Sequence, residues 1–158
     1  MNHDLAANVY ARVVTQMPEA VILADREGRI RLWNRGAEVL FGHSSADVEG
    51  KSLDIIIPEY LRKRHWEGYH RAIAAGHTRS RDRALPTKAL RKDGTTIYVE
   101  LSFAIVLDDT GATIGALAVG RNITERFRQD KSLRQRLSAL EQALAARTPH
   151  AGSADNAA

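Results

Sequence analysis

Arg91-Lys92-Asp93-Gly94-Thr95-Thr96-Ile97-Tyr98-Val99-Glu100-Leu101-Ser102-Phe103 puts a turn and a strand into one run. Asp93-Gly94 supplies residues tolerant of positive φ where two strands must reverse, the chemistry of a tight hairpin. Ile97, Val99, Leu101 and Phe103 then alternate with Thr96, Tyr98, Glu100 and Ser102, the period of two that lines one sheet face with apolar groups. Downstream, Asp108-Asp109-Thr110-Gly111 forms a second turn, and Ile114 to Val119 reads as the last strand. Being apolar nearly throughout, that strand belongs at the centre of its sheet. Upstream, Arg83 to Arg91 with its apolar interruptions leads into the hairpin.

The N-terminal half carries a second hairpin. Ala20 to Ala24 is a strand, Asp25-Arg26-Glu27-Gly28 a turn, and Ile30 and Leu32 alternate with Arg29 and Arg31. Before it, Leu5, Val9, Val13 and Met17 recur every four residues, one stripe on a helix that Pro18 stops. Between the hairpins lie short helices. Ala37, Val39, Leu40 and Phe41 suggest one, ended by Gly42; Ser44 or Ser45 caps another through Val48. Ile55-Ile56-Ile57 fits a strand or a buried helical turn. After Pro58, Leu61, His65, Tyr69 and Ile73 share one face of a longer helix ending at Gly76.

The expectation is an α+β fold: a five-stranded antiparallel sheet with short helices on one face and flanking N- and C-terminal helices. Residues 1–17 form the N-terminal amphipathic helix, 18–123 the central domain, 124–147 a C-terminal helix and 148–158 a disordered tail. On the C-terminal helix Leu133, Leu137, Leu140 and Leu144 follow in heptad-like steps, a stripe that a partner helix covers. Leu5, Val9 and Val13 offer a second such stripe, so the expected partner is another copy of the chain.

The 158 residues carry a formal charge of +4 and no cysteine, which excludes disulfides, thiolate metal sites and cysteine nucleophiles. The cations are scattered and interleave with no array of stacking aromatics, which argues against nucleic acid. No run approaches a membrane span and no signal peptide opens the chain, so a cytoplasmic setting is expected. No zinc-protease, phosphate-loop or nucleophile-elbow motif is present, so no enzymatic activity is expected.

Four segments together resemble the PAS family: Asp25–Ile30 with Trp33-Asn34-Arg35-Gly36-Ala37-Glu38; Phe41-Gly42 with Glu49-Gly50-Lys51; Arg91-Lys92-Asp93-Gly94-Thr95; and Gly120-Arg121-Asn122-Ile123-Thr124-Glu125, with Asn122 where aspartate is commoner. The resemblance runs from about Met17 to Thr124 and implies a sensory domain. Within the family the chain is similar to the haem-binding PAS domain of rhizobial oxygen-sensing histidine kinases, through the context of Arg64-His65 and its spacing to Asp93-Gly94.

That similarity implies haem b with His65 as iron ligand, Leu61, Tyr69 and Ile73 beside it, and Arg71 near a propionate. Leu101, Phe103, Ile114, Leu117 and Val119 would form the opposite wall. Leu85 stands where the family has the arginine that bonds bound oxygen, with Arg83 two residues away, so carbon monoxide or nitric oxide is less affected than oxygen. The implied function is sensing of a diatomic gas or redox state, relayed by the C-terminal helix to a separate output protein. The alternative is a PAS dimerisation or interaction module that holds a small ligand or no cofactor.

Overall fold

The computed structural model describes residues 3–79 and 83–147, with side chains from Leu5 onward. The expectation of a tail over 148–158 lies outside the described residues. The element order is α1 (His3–Gln16), β1 (Ala20–Asp25), β2 (Ile30–Trp33), α2 (Arg35–Phe41), α3 (Ser45–Val48), α4 (Glu59–Ala75), β3 (Leu85–Leu90), β4 (Thr96–Leu107), β5 (Thr113–Asn122) and α5 (Thr124–Arg147). Ile55 closes a single 3-10 turn, Leu53–Ile55, which decides between the two readings of the isoleucine run. Ser44 rather than Ser45 caps α3, its hydroxyl accepting from the Asp47 N–H.

All five strands form one antiparallel sheet in the order β2-β1-β5-β4-β3. The nearly all-apolar β5 sits in the middle, as expected of a strand flanked on both edges. The Asp93–Gly94 turn joins β3 to β4, with Gly94 at φ 81° and the Asp93 carboxylate accepting from Thr95.

Register defines the two faces. On the inner face Ala20, Ile22 and Ala24 of β1 lie opposite Gly120, Ala118 and Ala116 of β5, which lie opposite Leu101, Phe103 and Ile105 of β4. Leu85 and Ala89 of β3 continue that face beside Leu101 and Ile97. The core is built on it: Ile22, Ile30, Leu40, Phe41, Val48, Leu53, Ile97 and Val99 are buried, with Leu61, Trp66, Tyr69 and Phe103 packed against them. Leu61, Trp66 and Tyr69 are the contribution of α4, which buries no residue completely.

The chain divides into two compact units, Met1–Thr124 and Glu125–Ala158. The N-terminal helix belongs to the first. Within that unit Thr124 is tied to β4: its Oγ1 accepts from the Tyr98 N–H at 3.0 Å, and the Ile123 N–H donates to the Tyr98 carbonyl at 2.9 Å. No described helix is long and apolar enough to cross a membrane.

Candidate functional site

Helix α4 begins after Pro58, whose fixed φ suits a helix start, and ends at Gly76 in the left-handed region (φ 69°). The four-residue spacing of Leu61, His65, Tyr69 and Ile73 sets these side chains on the half-buried face. Trp66 joins them, one position round. Its ring covers Gly28 so closely that a β-carbon there would lie 2.2 Å from two ring atoms. Its Nε1 donates to Asp54 Oδ1 at 2.9 Å. The Tyr69 hydroxyl donates to the carbonyls of Ala24 and Asp25 at the end of β1. Two polar atoms and one glycine thus seat α4 on the β1–β2 hairpin and the 3-10 turn.

His65 lies between these anchors. Its ring meets Trp66 edge-on at 5.0 Å and stacks on Tyr69 at 5.8 Å. Nε2 is buried and has no hydrogen-bond partner. Burial holds the imidazole pKa below its ordinary value; Asp54 opposes this and His70 reinforces it. At neutral pH the ring is therefore uncharged. A neutral imidazole with a hidden, unpartnered nitrogen can accept a hydrogen bond or bind a metal ion. Burial, with help from Asp25, pushes the Tyr69 hydroxyl up to about 12, which keeps it a donor.

The structure brings some of the expected residues together and separates others. Leu61, Tyr69, Leu85, Leu101 and Phe103 share the inner side with His65, Leu85 directly opposite Leu101. Ile73 is half-buried, and its carbonyl accepts from the Thr113 hydroxyl at 3.3 Å. Leu117 and Val119 are corrected: their partners are Leu23 and Val21 of β1 and Ala104 and Ser102 of β4. That register sets them on the outer face, so they cannot share a wall with Leu101 and Phe103. Ile114, near the start of β5, is 45% exposed. Arg64, His70 and Arg71 are exposed, and Arg83 precedes the regular part of β3. Among the described residues no group of three or more His, Cys, Asp or Glu side chains could hold a bare metal ion.

Two polar centres have roles that the pattern reading did not assign. Asn34 is buried and caps α2, its Oδ1 accepting from Ala37 and from Val21 of β1. Its Nδ2 is shared among the carbonyls of Val14, Met17 and Glu19. His43, between α2 and α3, also has a buried, unpartnered Nε2, and burial and then Lys92 lower its pKa. Neither shows a periodicity to read. The residues of the expected pairing stripes are exposed: Leu5, Val9 and Val13 are 56%, 40% and 53% exposed, and Leu133, Leu137, Leu140 and Leu144 are 59–73% exposed.

The PAS fold family matches residues 8–123. The sensor protein FixL of Bradyrhizobium diazoefficiens is 34% identical over 92 residues, 57% of this chain and 18% of FixL. The oxygen sensor protein DosP of Escherichia coli is 24% identical over 138 residues, 87% of this chain and 17% of DosP. The chain thus spans less than a fifth of either relative. An RNA-binding light-oxygen-voltage receptor superposes with a TM-score of 0.70 at 21% identity, covering 87% of this chain and 39% of that one, a likeness of fold alone. A match across most of the described domain, on a five-stranded antiparallel sheet and with an exit segment bonded back to β4, shows that the chain belongs to the PAS family.

Proposed function

We propose that the chain is a PAS sensory module that acts by pairing with a second copy, holding a small ligand or none behind α4. The observation that carries this reading is the exposure of Leu133, Leu137 and Leu140 along α5. A long helix with apolar residues at heptad spacing draws its stability from a partner, because isolated helices are marginal in water. The space between α4 and the inner sheet face is filled by Leu61, Trp66, Tyr69 and Phe103, which suits a small ligand or a closed core better than a large one. Sedimentation at low micromolar concentration tests it. A dimer is expected with or without added cofactor, and a strict monomer would remove the reading.

A second reading, haem b with His65 as the residue that would hold its iron, is favoured by one observation: the buried, unpartnered Nε2 of a neutral ring. That donor and its apolar neighbours suit the iron end of the group, for which Leu61, Trp66, Tyr69 and Phe103 would have to move aside from the inner sheet face. When bound, haem would supply an iron centre able to take a diatomic gas or change redox state. His65 would hold it from α4, Leu85, Leu101 and Phe103 would keep water off the opposite face, and the exposed Arg64, His70 and Arg71 are the cations available to propionates. The relation to FixL and to DosP supports this reading. Leu85 offers no hydrogen-bond donor, so carbon monoxide or nitric oxide suits the pocket better than oxygen. Supplying haem and recording the visible spectrum decides it: a Soret band that shifts in His65→Ala is expected, and no band, or an unchanged one, sinks the assignment.

A further inference from the structure

A cavity of about 220 Å³ opens where the α1–β1 junction, α2 and the end of β5 meet, and no residue of α4 lines it. Ala20, Val39 and Leu40 form its apolar side, and Glu19 and Arg91 its polar side. Val39 is 71% exposed on a helix whose other apolar residues are buried, a side chain without a role in the core. Arg91 is fixed in place: its Nε donates to the Leu40 carbonyl at 2.9 Å, and the next N–H, that of Lys92, donates to the Phe41 carbonyl at 2.9 Å.

Among the described residues no carboxylate pairs with Arg91 and no cation pairs with Glu19, whereas Arg121 on the same rim is bonded to Glu100 at 3.1 Å. The cavity therefore offers one positive group and one negative group, each outside the direct ion pairs of the described residues, and a hydrocarbon wall. A simple anion would pair with Arg91 alone and a simple cation with Glu19 alone, leaving the other group to water. A zwitterion with an apolar tail satisfies all three surfaces with charge-assisted hydrogen bonds.

We propose that this cavity binds a small apolar α-amino acid, its carboxylate on Arg91, its ammonium on Glu19 and its side chain against Ala20, Val39 and Leu40. The volume of about 220 Å³ equals about seven waters, enough for an amino acid of leucine size and too little for a longer peptide. The site is separate from the α4 face and does not depend on what binds there. Its occupant would touch Pro18 and Glu19, which carry the chain from α1 into β1, and Gly120 and Asn122, which lead to Thr124. One ligand would thereby contact both ends of the domain.

The test is a titration of the full, isotope-labelled chain with L-leucine, 4-methylpentanoate and 3-methylbutylamine, followed through backbone amide shifts. Saturable shifts at Ala20, Gly36, Val39 and Gly120 are expected, with leucine about tenfold tighter than either singly charged analogue. Arg91→Gln is expected to weaken leucine about tenfold. Because Arg91 also holds Leu40, Glu19→Gln provides the second arm, for Glu19 takes part in the fold through its backbone carbonyl, and it too should cost about tenfold. Equal affinity for leucine and 4-methylpentanoate, an unchanged affinity in Glu19→Gln, shifts centred on α4, or no shifts at all would overturn the proposal.

Discussion

Asn34 shows how much one neutral side chain can hold. Its amide joins the α1–β1 junction, β1 and α2 through five bonds of 2.8–3.1 Å. Replacing it leaves two backbone N–H groups and three carbonyls without their side-chain partner, most of them out of water. Asn34→Ala should therefore lower unfolding stability by about 3 kcal/mol or more, read as a shift in the urea midpoint at unchanged slope. Asn34→Asp keeps the acceptor and loses the donor, setting a carboxylate against three carbonyl oxygens. It should also be destabilised, and should recover as acid protonates the new carboxyl group. A neutral response to Asn34→Ala would mean that water replaces the amide at no cost.

Among the elements, α4 is seated by contact with the β1–β2 hairpin rather than by deep burial of its own residues. The tightest contact is Trp66 over Gly28, where φ is 78° and a side chain would overlap the indole. Gly28→Ala should cost about 3 kcal/mol, combining a left-handed backbone and an overpacked contact. In a Trp66→Leu background the overlap is gone and the cost should fall to about 1 kcal/mol. A double-mutant cycle in denaturant measures that coupling; equal costs in the two backgrounds would show that the indole does not hold the hairpin. His65 lies between Trp66 and Tyr69, so a change in ligation or hydrogen bonding there presses on the two side chains that anchor α4.

For the molecule as a whole, His65 and His43 act in the same direction. Both imidazoles are held below the ordinary 6.5 by burial, so the unfolded chain takes up protons first as pH falls. Their contribution to stability is complete above about 6.5 and is lost progressively below it, down to their depressed folded values. Denaturant unfolding across pH 7 to 5, about the range over which histidine titrates, should show stability falling with acid. His65→Gln should flatten part of that slope. A slope unchanged by the substitution would mean that the ring is as solvated folded as unfolded.

Element order was legible in the sequence because each signal is local. Asp93-Gly94 marks its turn by backbone sterics, Pro58 and Gly76 bound α4, and the alternation from Ile97 to Phe103 shows two unlike faces on β4. The single-face spacing of Leu61, His65, Tyr69 and Ile73 was likewise readable, because helical periodicity fixes direction within one element. Which residues form a common wall was not readable. β5 is apolar on both faces, so alternation vanishes there, and only its register with β1 and β4 assigns Leu117 and Val119 to the outer side. Asn34, the Trp66–Gly28 contact, and the cavity between Glu19 and Arg91 join residues far apart in the chain. Such contacts depend on how elements pack, and packing leaves no period along a single strand or helix.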